Sequence, residues 1–381
     1  MEQKKYMKNQ LIEFTNELER QMKPDNRQDL IVPTNTNQLL FGTDGKTMWL
    51  DVPQPEGSST PFRSLQMTEY VQRSIASYYG VHASYFRKMK AKGKLSLICR
   101  NINEWIPTET KYNKRLIRTL DNEVIGYLGP HYFCINNYDL VSVVFKKLKE
   151  IAEKTGITYD VQRIDLTESH LYMKITSPQL QDEVHHFRQK GEAVEGGIII
   201  RNTEVGDGAF IVEPFINVLV CTNGLIRTKI IEKYKQVHRG KEQDIGTYGY
   251  NTAIYNAKMN VIIEQVRGYI DTVFTPEIFH KWVDEINGKA KIELPKPVVA
   301  IDNLITHFNL SETMKDVILN QFTKEASPTV WGLSMAVTRV AQDEKDYESQ
   351  INMERIGAKI LEMNPTILTK EKPKKDETKE E

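Results

Sequence analysis

Cysteine is scarce in this chain, and charge of either sign is balanced away. Three cysteines, Cys99, Cys134 and Cys221, stand in 381 residues, and no two are spaced as CxxC. That excludes a disulfide-stapled scaffold and a cysteine-only zinc site, and it fits a reducing, cytoplasmic setting. The 51 basic and 51 acidic side chains cancel, which excludes a chain-wide polycation and an acidic solvating polymer. No run approaches the roughly 18–20 apolar residues of a spanning helix, and the opening Met1-Glu-Gln-Lys-Lys-Tyr-Met-Lys has no apolar stretch of the secretory kind. No membrane partner is expected. The chain also lacks a GxxxxGK[ST] phosphate loop, a GxGxxG turn after a strand, an HExxH helix and a GxSxG elbow. These absences argue against a nucleotide hydrolase, a zinc protease and a serine hydrolase, and no cofactor is expected.

Neutrality conceals segregation. Residues 62–120 carry 12 basic and 3 acidic side chains, a net +9, whereas residues 121–220 carry 9 and 15, a net −6. A field of that sign over 59 residues attracts phosphate within about 8–10 Å at physiological salt. Within it, Arg87, Lys88, Lys90, Arg115 and Arg118 accompany Tyr78, Tyr79 and Tyr85, and a second basic stretch contains Lys233, Tyr234, Lys235, His238 and Arg239. Cations for phosphates beside aromatic faces for bases are the side-chain types that hold single-stranded nucleic acid. The plainer alternative is that the aromatics pack inward while the lysines solvate an outer face.

The hydrophobic pattern places these segments in an α+β chain. Met7, Leu11, Phe14, Leu18 and Met22 make one stripe of a helix over 5–23, ended by Pro24. Docking on its own core and pairing with a second copy are both open for it. Residues 25–61 read as a loop or extended arm with short strands near Leu39–Phe41 and Met48–Val52. Helices are expected over 67–79 and 82–91, strands at 95–99 and at 116–128 with a turn at Asp121-Asn122, and a helix over 137–154 between Asn136-Asn137 and Gly156. Strands at 157–164, 170–177, 197–201 and 209–221 should form a central, mainly antiparallel sheet, backed by a long helix bearing Val261, Val266 and Ile270 and by a helical C-terminal third. The expected organisation is an N-terminal helix and arm over 1–61, an α+β core over 62–290, a helical region over 291–365 and a charged, disordered tail over 366–381.

Asp182, Glu183, His185 and His186 are the densest set of candidate metal ligands. On a helix their i, i+3 spacing would pair acids with imidazoles, but nothing nearby supplies a third or fourth ligand. A polar helix or loop is the alternative. Cys221 has no base beside it in sequence, so a buried structural thiol is expected there.

Several short motifs occur in a particular order. Leu116-Ile-Arg118 is followed by Tyr132, Ile135-Asn-Asn137-Tyr-Asp-Leu140, Phe215-Ile-Asn-Val-Leu-Val-Cys221-Thr-Asn223-Gly224, His238-Arg-Gly240 and Thr329-Val-Trp331-Gly332. Together, over about residues 67–362, they resemble the phage- and plasmid-encoded family called domain of unknown function 932, although Val237 stands where that family has an arginine. The resemblance implies a mobile-element origin and the cytoplasm of a bacterial host, and it implies no particular activity. The combined expectation is a non-enzymatic protein that binds nucleic acid, single-stranded DNA above all. It would act in replication or recombination, including annealing, as a homo-oligomer. Two alternatives stand beside it: a factor that modulates a host process through its acidic 121–220 surface, and a metal-dependent accessory enzyme of nucleic-acid metabolism.

Overall fold

In a computed structural model of the chain, the Asp121-Asn122 pair makes a two-residue hairpin turn. Both residues take positive φ, 52° and 66°, the mirror-image turn whose twist matches paired strands. It joins β5 (Lys114–Leu120) to β6 (Glu123–Leu128). The structure describes residues 2–34, 39–54, 57, 59–108, 113–185, 191–219, 223–226, 234–238, 252–273, 275–324, 327–343 and 347–370, with the backbone alone at 2–9, 223–226, 252, 254, 343, 347 and 348.

The chain is α+β, with two sheets where one was expected. The first also contains β1 (Arg27–Pro33), β2 (Leu40–Thr43), β3 (Met48–Pro53) and β4 (Phe62–Met67), in the order β1-β5-β6-β4-β3-β2. Most pairs are antiparallel; β4 and β6 run parallel. The loop or extended arm expected over 25–61 does contain the two short strands expected there, as β2 and β3, but it also supplies β1 and is built into the sheet through β1–β5 and β3–β4 pairing. β1 eluded the sequence pattern because Val32 is its one buried residue. Three helices cover one face: α2 (Glu69–Tyr78), α3 (Ala83–Ala91) and α4 (Leu95–Trp105). The strand expected at 95–99 is the first half of α4. Leu95, Ile98, Cys99 and Ile102 are its buried residues, a helical spacing that a five-residue apolar window cannot distinguish from a buried strand. These residues close a core with Leu50, Leu65, Val71, Ile75 and Ile117.

The second sheet contains β7 (Asp160–Leu166), β8 (His170–Val184), β9 (Glu192–Thr203), β10 (Ala209–Val218), β11 (Asn223–Ile226) and β12 (Tyr234–Val237). The order is β11-β10-β9-β8-β7, and β12 pairs with the first half of β10 while β11 pairs with its second half. The central strands β9 and β10 are buried on both faces. Met173, Ile198, Ile200, Val212 and Ile216 face a large core shared with α1 (Glu2–Gln21), α5 (Asn137–Thr155), α6 (Thr252–Val273), α7 (Pro276–Ala290), α8 (Pro297–Phe308), α9 (Glu312–Lys324) and α10 (Val330–Asp343). Phe14 and Leu18 dock α1 on that core. The opposite face carries Tyr172, Ile199 and Phe215 and packs against Ile351 of α11 (Tyr347–Glu362). α5 ends at Gly156, whose φ of 74° closes the helix. The tail expected to be disordered over 366–381 needs a correction at its start: Thr366–Thr369 form a short helix, α12, with Leu368 buried in the large core, while residues 371–381 lie outside the described residues. Among the described residues, no helix is long and apolar enough to cross a membrane.

Candidate functional site

The helices over the first sheet turn a basic face outward. Phe86 and Met89 anchor α3, so helical geometry leaves Tyr85, Arg87 and Lys88 exposed, and Lys92, Lys94 and Arg100 are exposed on the turn and helix that follow. Among the described residues, the cation here with an ion-pair partner is Lys90, 3.5 Å from Glu69. Tyr85 and Trp105 are more than half exposed, at 52% and 56%, so aromatic surface lies among the cations.

Behind this face, Arg115 points inward. Its guanidinium lies 4.2 Å from the centre of the Tyr78 ring and 5.1 Å from that of Tyr127, within cation–π range. The Tyr79 and Tyr127 hydroxyls are 2.9 Å apart, and Tyr78 meets Tyr79 edge to face. Arg115 is buried while Tyr78 keeps 43% of its surface in solvent. Arg115 thus stiffens an exposed ring from behind.

Arg118, three residues along β5, points to the other side and joins the two sheets. Its Nε donates to Asp29 at 3.1 Å, Nη1 to the Glu204 carbonyl at 3.1 Å and Nη2 to Asn136 Oδ1 at 2.7 Å. Arg27 donates to the Glu204 carboxylate at 2.7 Å, and that carboxylate accepts the Asn137 N–H at 2.6 Å, which places a negative charge at the first turn of α5. Burial pushes the Glu204 carboxyl up, but Arg27 and Arg118 outweigh it and hold the group below its ordinary value. Nearby, His238 stacks on Tyr132 with ring centres 5.1 Å apart. Its Nδ1 donates to the Phe133 carbonyl at 3.0 Å. Burial pulls its pKa down to about 4, with Arg118 adding to the fall.

An open trough runs from α2 and α3 onto the second sheet. One cleft of about 730 Å³ is lined by Arg73, Tyr78 and Ala83 from α2 and α3 and by Asp165, His170, Tyr172 and Asp207. A second, of about 590 Å³, shares His170 and Asp207 with it and continues to Arg201, Ile211, Lys235 and Arg355. Strand register explains the line. Asp165 pairs with Tyr172, Tyr172 with Arg201, Arg201 with Ile211 and Ile211 with Lys235, so one row crosses five strands on one face, a span of about 19 Å at ~4.8 Å per strand. Four lining cations (Arg73, Arg201, Lys235, Arg355) face two lining carboxylates (Asp165, Asp207). Cations thus exceed carboxylates by two among the lining side chains, and Glu213 beneath Arg201 and Arg355 offsets one of them.

The expected site residues separate accordingly. Tyr78, Tyr85, Arg87 and Lys88 are exposed, and Tyr79 and Lys90 are half-buried. Arg115 and Arg118 require a correction: both are buried and engaged inside the fold, so they do not present charge to an external phosphate. Lys233, Arg239, His186 and Cys221 lie outside the described residues. Asp182 and Glu183 sit on β8 rather than on a helix or loop, and consecutive strand residues point to opposite faces. Asp182 instead meets His280 of α7 at 2.7 Å, and the His185 N–H donates to Asn287. Among the described residues, no group of three His, Cys, Asp or Glu could hold a metal ion.

Sequence reasoning missed Arg27, Glu204, Arg201, Glu213 and Arg355. Glu213 left a signal, an acid in the nearly all-apolar run from Ile211 to Val220. A carboxylate in such a strand is buried only with a partner. No family model matches the chain, and no curated protein and no solved structure matches it either.

Proposed function

We propose that this protein binds single-stranded nucleic acid, DNA in the first place, without catalysing a reaction on it, and that it serves replication or recombination of a mobile element as a homo-oligomer. The observation that carries the reading is the continuity of the trough. It begins at Arg73, Tyr78 and Ala83 in the first basic stretch and ends at Lys235 in the second. Arg87 lies four residues beyond Ala83, on the same side of α3, so the exposed basic face adjoins the trough's entrance. Unpaired bases favour this surface because Tyr78 and Tyr85 offer ring faces that a duplex could not use.

Fluorescence anisotropy with a labelled oligothymidine tests the reading. Binding is expected at 50 mM salt, and four phosphate contacts would weaken it about 50-fold at 200 mM. A duplex of equal length should bind less tightly. Absence of any binding at 50 mM salt overturns the reading.

A further inference from the structure

On the floor of the second cleft two arginines share one buried carboxylate. Arg201 of β9 lies 3.2 Å from Glu213 Oε1 of β10, and Arg355 of α11 donates to the same oxygen. The register places Arg201 diagonal to Glu213 on one face, while the adjacent Lys174 is balanced by Glu354. Glu213 is 1% exposed, and its Oε2 has no hydrogen-bond partner among the described residues. One carboxylate therefore orients two guanidiniums that both line the cleft, with exposed Lys235 across the row. Two guanidiniums and the Lys235 ammonium line one open cleft, and guanidinium donors match the oxygens of a phosphate.

Building on the nucleic-acid reading above, we propose that Arg201 and Arg355 form a phosphate clamp, oriented by Glu213, and that Lys235 closes its rim over one phosphodiester of the bound strand. Three segments far apart in the chain meet there, so the clamp exists only in the folded protein. The row geometry also assigns direction: a strand that stacks a base on Tyr78 passes Arg201 before it reaches Lys235.

The test compares the full-length protein with Arg355→Gln, Lys235→Ala and an outer-face control, Arg87→Gln/Lys88→Gln, on the same oligothymidine. Loss of one phosphate contact should weaken binding about five-fold at 100 mM salt and flatten the logarithmic salt slope by about 0.7. Replacing single phosphates by neutral methylphosphonates adds a readout that a merely structural role would not move. One position should weaken the wild type but leave Arg355→Gln unaffected. Should Arg355→Gln fail to fold, the exposed Lys235→Ala variant carries the same comparison. Unchanged affinity and slope in Arg355→Gln and Lys235→Ala, with clear weakening in the outer-face control, overturns the clamp and leaves the nucleic-acid reading standing. No binding by the wild type removes both. If inorganic phosphate raises the thermal midpoint of the wild type but not of Arg355→Gln, while oligonucleotide binding is the same in both, the site belongs to a free phosphate and the strand assignment falls.

Discussion

Strand β5 and the α3–α4 helix pair belong to the same basic quarter of the chain, yet they use positive charge in opposite ways. On β5, Arg115 and Arg118 are buried on opposite sides, one among tyrosine rings and one among carbonyls, amides and carboxylates. On the helices, Arg87 and Lys88 remain in solvent. Two of the twelve cations counted over residues 62–120 are thus committed to the interior, and a sum over sequence cannot tell them from the rest. The difference teaches that a basic segment should be judged by where its strands and helices place each cation. The exposed set then bears on binding, and the buried set on stability.

Substitutions should break this contrast in graded fashion. Arg118→Met should cost most, about 3–5 kcal/mol, because Asp29 and Glu204 would lose a partner while the latter stays buried; chemical denaturation measures it. Lowering the pH tests the same junction. His238 has an ordinary pKa of 6.5 and a folded value of about 4, so below pH 6.5 the unfolded chain takes the proton first. Stability should fall by about 2 kcal/mol between pH 7 and pH 5 on this account. The Glu204 contribution, held below its ordinary value of 4.5, would be lost only at lower pH. His238→Gln should flatten the upper window, and an equal fall in that variant would refute the assignment. Arg115→Met should cost about 2 kcal/mol through its cation–π contacts, visible also as altered tyrosine fluorescence. Smallest is the effect of Arg87→Gln/Lys88→Gln on stability, within about 0.5 kcal/mol, although oligonucleotide affinity should drop clearly. A large loss of stability in that variant would erase the contrast between the two regions.

The legible parts of the fold were those with a local cause. The Asp121-Asn122 turn, the α5 helix with its Gly156 stop, and the apolar runs of β9 and β10 follow from neighbouring residues. α4 and β1 did not, because a short apolar run has no decisive period and β1 is held by its pairing with β5. The candidate site was half legible. Tyr78, Arg87 and Lys88 stood out by composition, whereas Arg201, Glu213 and Arg355 come together only through register and the docking of α11. Asn136 shows the limit most plainly: it was expected to mark the start of the helix over 137–154, and it does start α5, but its side-chain oxygen accepts from Arg118 rather than from the helix's own N–H groups.

The row from Asp165 to Lys235 has a consequence for how this chain can vary. Side chains along a strand alternate faces with a period of two, so a single inserted or deleted residue in β9 would rotate Arg201 towards the apolar core and bring a core-facing neighbour such as Ile200 into the row. A change of two residues would preserve the face and merely slide the row. The trough therefore has a reading frame, and length changes within β9 should survive selection in even steps or not at all.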